Sequence, residues 1–183
     1  MTSLSGKKIL VAVTGSIAAV KAPIFVSHLI KAGVEVKCVI TQSAAKLVSP
    51  LSLSTLSRNK CYQDKDQWDY SQTKPLHIVL AEWAELIIVA PMSATSLSKF
   101  TSGNADGLLA SILLAAQSQI GIAPAMNTSM WSNLSVKKNW NHIKTNDQII
   151  SLEPSEGLLA CDRFGDGKTV SYTHLTLPTT PYV

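Results

Sequence analysis

The sequence predicts an α/β protein with a doubly wound parallel sheet, layered αβα, in a single domain. Three observations predict it. Short apolar runs rich in Val and Ile alternate with stretches whose apolar residues have helical spacing. Several of these runs end in clusters of small or hydroxylated residues, and open α/β sheets bind ligands beyond the carboxyl ends of their strands. A chain of 183 residues with 46% hydrophobic and 15% charged side chains suits one well-buried domain.

The elements follow in order. Lys7 to Thr14 (KKILVAVT) is apolar without alternation, as a strand buried on both faces must be. Ser16 is placed to cap a helix running to about Ala32, with Ile17, Val20, Ile24, Phe25, Leu29 and Ile30 as its apolar residues and Gly33 as its stop. Val34 to Ile40 is the second strand, and residues 43–57 form one or two short helices around Pro50. Residues 59–74, polar and irregular, with Trp68 and Tyr70, read as a mobile loop. Pro75 to Ala84 is helical and carries His77; Leu86 to Ala90 (LIIVA) is a third buried strand. Helices follow over Ser93–Phe100 and Asp106–Gln117, then a strand over Ile120–Pro124, a helix to about Asn141 and a last strand over Gln148–Leu152. Glu156 to Lys168 is rich in glycine. The domain is expected to span residues 1–170. The tail, 171–183, has Thr clusters, two prolines and no periodicity; it reads as a cloning or sequencing scar or an unstructured extension.

The formal charge is +4, from 16 basic and 12 acidic residues, with no Lys/Arg run, so the sequence carries no electrostatic footprint for nucleic acid. The excess suits either an anionic ligand or a plain solvated surface. Cys38, Cys61 and Cys161 match no zinc or disulfide framework, which points to a reducing compartment. Cys38 reads as strand packing and Cys61 as incidental at the head of the loop. No apolar run approaches the roughly 20 residues that cross a bilayer, and Met1 to Lys8 has no apolar signal core. The expectation is a cytoplasmic protein with no membrane partner and no metal.

Thr14-Gly15-Ser16-Ile17-Ala18-Ala19 joins a strand to a helix. Gly15 permits a tight turn and a close ligand approach, and the helix start offers N–H groups to an anion. With one glycine it is not a GxGxxG fingerprint and reads equally as a plain turn. Ser93-Ala94-Thr95-Ser96 puts three hydroxyls at another helix start; N-capping explains one of them more easily than three. Thr41-Gln42-Ser43 and Pro124-Ala125-Met126-Asn127 stand at two more strand ends. Asn127 can donate and accept at once, or simply cap a helix whose Met130 and Trp131 are core.

In this order, Gly15 to Ala19, Ala90 to Lys99, Gly103 to Asp106 and Pro124 to Trp131 resemble the homo-oligomeric flavin-containing cysteine decarboxylases, over about residues 7–168. The PxMNxxMW pattern of Pro124 to Trp131 is the specific part. The resemblance implies a Rossmann-like or flavodoxin-like fold and FMN at a subunit interface, held by Gly15, Ser16, Ile17, Thr41, Ser93, Ala94, Thr95, Ser96 and Ala125. It implies His77 and Cys161 as catalytic residues, and Asn127, Met130 and Ala160 as substrate-binding residues. It implies a homotrimer or an assembly of trimers such as a dodecamer. The branch it resembles most decarboxylates 4′-phosphopantothenoylcysteine to 4′-phosphopantetheine in coenzyme A biosynthesis: flavin oxidation to a thioaldehyde, loss of CO2, and re-reduction of the ene-thiol with a proton from Cys161. A phosphopantothenate–cysteine ligase domain or protein is the implied partner.

Asn104 falls at a Gly-rich turn of that family and reads as packing. Asp162 stands where the family has Gly, and an acid beside the thiol disfavours its thiolate. Lys168 occupies a position that varies between Arg and small residues in that family. Cys161 in its Gly-rich segment argues against a lantibiotic-type peptidyl-cysteine decarboxylase. Asn127 in its motif argues against a flavin prenyltransferase. The lack of long acidic extensions argues against a non-catalytic flavoprotein that regulates a phosphatase.

Overall fold

In β1 (Lys8–Val13), Ile9, Val11 and Val13 enter one apolar cluster while Leu10 and Ala12 enter another. Successive side chains of a strand point to opposite faces, so a strand covered on both sides must be apolar at every position. The same logic runs through β2 (Glu35–Ile40), β4 (Leu86–Met92) and β5 (Gln119–Pro124), each nearly continuous in buried residues. The computed structural model describes residues 4–69, 71 and 73–153, and the backbone of 155–158 and 164–168.

Six parallel strands make the sheet, in the order β3-β2-β1-β4-β5-β6, with β3 at Cys61–Tyr62 and β6 at Ile149–Ser151. The chain winds outward from β1 in one direction and from β4 in the other. The switch point, where such sheets open a crevice, therefore lies between β1 and β4. One face is covered by α1 (Ala22–Lys31) and α2 (Pro50–Ser57) through Phe25, Val26, Leu29 and Leu53. The other is covered by α3 (Leu76–Trp83), α4 (Ala94–Thr101), α5 (Leu108–Ala115), α6 (Thr128–Ser132) and α7 (Leu134–Ile143). On that side Trp131 and Trp140 pack edge to face, their centroids 5.6 Å apart. Two further strands, β7 (Ser155–Leu158) and β8 (Phe164–Lys168), pair antiparallel, and the β8 backbone runs close to α6.

Four expectations are corrected. The helix expected from Ser16 starts as a 3-10 turn (Ile17–Lys21) and becomes α-helical only at Ala22, with Pro23 in its first turn, where a missing N–H costs nothing; the Ser16 side chain caps neither. Residues 59–74 are not simply a loop. They contain the edge strand β3 and a 3-10 turn, Asp64–Trp68, tied down by a hydrogen bond from the Gln63 N–H to Asp66 Oδ2 (2.8 Å) and by the Lys60–Asp66 ion pair. Cys61 is accordingly a buried core residue in register with Cys38. The helix expected up to Asn141 breaks at Asn133, whose extended backbone ends α6 and whose side chain accepts the Ser135 N–H to start α7. The tail 171–183, with Tyr70, lies outside the described residues.

Candidate functional site

At the switch point Thr14 is fully buried and joins β1 to β4. Its hydroxyl donates to the Pro91 carbonyl (2.7 Å) and accepts the Ser93 N–H (2.7 Å). The Ala90–Pro91 peptide is cis. Ser93, so fixed, caps α4, its Oγ accepting the Ser96 N–H (3.3 Å). Gly15 follows directly. A Cβ built on it would stand 2.5 Å from the Ser43 Cβ, so the loops after β1 and β2 close on each other only because residue 15 has no side chain.

These loops open on a cavity of about 570 Å³, within the usual range for a small-molecule site. Gly15, Thr41, Ser93, Thr95 and Ser96, all singled out from sequence, line it. Ser16, Ile17 and Ala94 belong to the same loops without lining it, and Ala125 is buried at the end of β5, its N–H donating to the Met92 carbonyl (3.1 Å). Sequence reasoning missed the opposite wall: Asp64, Gln67 and Trp68 of the 3-10 turn, with Asp106, Gly107, Leu109, Ala110 and Leu113 around the start of α5. Gln42 and Ser43 also line it; their place at a strand end was the available signal.

The cavity is polar without being strongly cationic. Its lysine, Lys99, is paired with Asp106 at 2.6 Å, which holds the Asp106 carboxyl below its ordinary value through that hydrogen bond. A phosphate here would meet hydroxyls and the free N–H groups at the start of α4. This donor set fits the phosphate of FMN, and the close approach at Gly15 is a cradle that a Cβ would fill. No group of His, Cys, Asp and Glu among the described residues could hold a metal ion.

The remaining candidates stand apart from that lining. His77 is half-buried on α3, and its Nδ1 is buried with no hydrogen-bond partner among the described residues, a state that buried imidazole nitrogens rarely keep. Asn127 is exposed and caps α6, its Oδ1 accepting the Met130 N–H at 2.8 Å, which leaves its amide nitrogen as the donor it can offer a ligand. Met130 is 45% exposed rather than core, whereas Trp131 is core. Thr128, which follows Asn127, has a buried Oγ1 without a partner among the described residues. Ala160, Cys161 and Asp162 lie outside the described residues, in the stretch between β7 and β8.

A family model described as Flavoprotein matches residues 1–177. The Bacillus subtilis coenzyme A biosynthesis bifunctional protein CoaBC is 41% identical over 165 residues, which are 90% of this chain and 40% of that protein. The chain thus spans about two fifths of the length of that curated relative. Among solved structures, a cysteine-to-serine mutant of PPC decarboxylase complexed with pantothenoylaminoethenethiol superposes with a TM-score of 0.84 at 31% identity, over 93% of this chain and 94% of that one. The FMN binding protein AtHal3 superposes with a TM-score of 0.82 at 30% identity, over 92% of each chain.

Proposed function

Because this chain belongs to the Flavoprotein family, we propose that it binds FMN and decarboxylates 4′-phosphopantothenoylcysteine to 4′-phosphopantetheine and CO2 in coenzyme A biosynthesis. The observation that carries the reading is the switch-point cavity, whose hydroxyl-bearing loops close around Gly15. The similarity to a PPC decarboxylase structure and to an FMN binding protein, each at 30% identity or more, supports the same reading.

In this reading Gly15, Ser16, Ile17, Thr41, Ser93 to Ser96 and Ala125 hold the cofactor. Bound FMN supplies a two-electron sink, without which a carboxylate alpha to nitrogen has nowhere to send its electrons on leaving. His77 Nδ1, which has no partner among the described residues, is the group to accept or orient the substrate's thiol proton. Asn127 offers its amide nitrogen to the carboxylate while its Oδ1 stays on the helix cap. Met130 gives apolar cover, and Ala160 lies against substrate beside Cys161. Cys161 would give the proton needed when the two electrons first taken from the substrate are returned, as reduced FMN would do, so that the ene-thiol becomes the saturated thiol. The closeness of β8 to α6 supports this, since it brings the strand that follows Cys161 beside the Asn127 motif.

Among the described residues, the cavity lining does not include His77, Asn127 or Met130, which supports a site completed between copies in a homotrimer or a multiple of it. Exposed Ile17, Val20 and Ile24 are apolar surface of the kind such an interface buries. The protein acts in the cytoplasm, supplied by a phosphopantothenate–cysteine ligase on the same or another chain.

Purified protein should be yellow with bound flavin and should turn over 4′-phosphopantothenoylcysteine. Cys161→Ser should release CO2 but accumulate the ene-thiol. A colourless protein that takes up no FMN would overturn the function, and normal 4′-phosphopantetheine from Cys161→Ser would overturn the role of that thiol.

A further inference from the structure

One wall of the cavity is built in a way that the flavin reading leaves unexplained. Trp68 is 80% exposed, whereas Trp131 and Trp140 are 4% and 2% exposed in the core. Among the described residues it is the only aromatic one in the cavity lining. An indole left in water forgoes the burial that usually justifies so large a side chain. Yet the segment that carries it is firmly fixed. Asp64, at its start, reaches across to α5, where Oδ1 accepts the Leu108 N–H at 2.8 Å. Gly107, the residue before α5, has φ +96° and no capping side chain of its own, and a Cβ on it would stand 3.0 Å from that same Oδ1. The start of α5 is thus shaped to receive a carboxylate from 44 residues away. On the other side, Asp66 is held by the Gln63 N–H and by Lys60 at 2.9 Å. A five-residue turn is pinned at two points, and what it presents to the cavity is Gln67 and an indole.

Thr41, Ser43, Ser93, Thr95 and Ser96 provide hydroxyls, while Leu109, Ala110 and Leu113 of α5, the helix against which the Asp64–Trp68 turn packs, provide apolar lining. We infer that Trp68 stacks on the planar ring system of the ligand held in this cavity, and that Asp64 is the positioning residue that sets the indole there. The inference rests on the FMN reading, in which the hydroxyl loops take the phosphate end and the ring remains to be covered. Aromatic faces bind planar π-systems at separations and offsets that aliphatic side chains cannot reproduce.

The test compares the full-length protein with Trp68→Phe, Trp68→Leu and Asp64→Ala, reading bound-flavin fluorescence, FMN affinity by titration of the flavin-free protein, and oligomeric state by gel filtration. Indole in contact with an excited flavin quenches it by donating an electron, and phenyl does not. Trp68→Leu should therefore raise bound-flavin fluorescence several-fold and weaken FMN binding about three- to tenfold, the worth of an aromatic contact. Trp68→Phe should raise the fluorescence while keeping affinity near wild type. Asp64→Ala should weaken FMN binding with Trp68 intact and partly relieve quenching, which a merely structural cap would not do. All variants should elute as the wild type does. Unchanged fluorescence and affinity in Trp68→Leu overturn the inference, and so does a Trp68→Leu protein that falls to monomers, since the indole would then be an interface residue. Wild-type protein that takes up no FMN removes the function reading itself, a result distinct from either.

Discussion

Replacing Gly15 by Ala isolates the steric logic of the cavity from any backbone effect, because Gly15 is not among the residues with positive φ and alanine can adopt its conformation. The new Cβ would lie 2.5 Å from the Ser43 Cβ, with the next nearest atoms, Ser43 Oγ and its carbonyl carbon, at ordinary distances of 3.5 and 3.6 Å. Carbon atoms prefer about 3.5–4.0 Å, so the loops after β1 and β2 must part by about 1 Å. Overpacking of this kind costs about 1–3 kcal/mol, and both loops are exposed enough to place this case near the lower end. The larger effect should fall on the ligand. Parting the loops by that much breaks about one hydrogen bond to an anion, worth roughly 1.5–3 kcal/mol, so FMN should bind about 10- to 100-fold more weakly. Since one atom causes the overlap, Ser43→Gly should relieve it. Titrating flavin-free wild type, both single variants and the double variant with FMN gives the coupling. The double variant should bind no more weakly than Ser43→Gly alone. An unchanged affinity in Gly15→Ala, or additive losses in the double variant, would refute the argument.

Burial pushes both core thiols up from 9.0 to about 12, Cys38 with help from the charge of Cys61, and Cys61 with help from that of Asp66. The folded protein therefore keeps them neutral. This contribution to stability is whole below about pH 9 and is lost as the pH rises toward 12, by about 2 kcal/mol per thiol at about pH 10.5. Denaturant unfolding at about pH 8 and pH 10.5 should show a steeper loss for wild type than for Cys38→Ala/Cys61→Ala; equal losses contradict the assignment. For Asn127, Asp preserves the helix cap and puts a negative charge opposite a substrate carboxylate. Asn127→Asp should unfold within about 0.5 kcal/mol of wild type, yet lose about 100-fold or more in kcat/KM. Asn127→Ala should lose about 1 kcal/mol of stability as well. An active Asn127→Asp enzyme would reduce Asn127 to a cap.

What was legible in the sequence is what depends on neighbours along the chain. β1 beyond Lys8, β4 and β5 announced themselves because burial on both faces leaves no charged position within the run, and β2 did so through Val36, Cys38, Val39 and Ile40 despite Lys37. The Gly15 turn and the Ser93 cap were legible because each acts within three residues of itself. The wall formed by residues 64–68 was not. Its meaning lies in a bond from Asp64 to Leu108, and nothing near Asp64 marks it as a cap for a helix elsewhere. Its local signal, a Gln63–Asp66 pair spaced as in a capping box, does not match the Ser/Thr–Glu template by which such boxes are usually found. Thr14 reads as the last residue of a strand, and its two hydrogen bonds across the switch point exist only once β4 lies beside β1. Cys61 appeared incidental because a two-residue edge strand is too short to show a period.

The same distinction bears on how the cavity grips an anion. A net charge of +4 suits either an anionic ligand or a plain solvated surface; the lysine that lines the cavity is bound to Asp106, and Asp64 adds a second carboxylate, itself committed to the Leu108 N–H. Charge in this site is consumed in fixing the walls. Recognition then falls to hydroxyls and backbone N–H groups, whose positions are set by the strand ends and by Thr14, Ser93 and Gly15. Neutral donors hold an anion well only when they are preorganised, since each must already point at the place the oxygen will occupy. That is why the residues that matter most here make contacts within the protein rather than to any ligand. The Gly15–Ser43 approach, the Thr14 link between β1 and β4 and the Asp64 cap on α5 each fix one wall, and a loosened wall costs the site its grip even with every ligand-facing side chain in place.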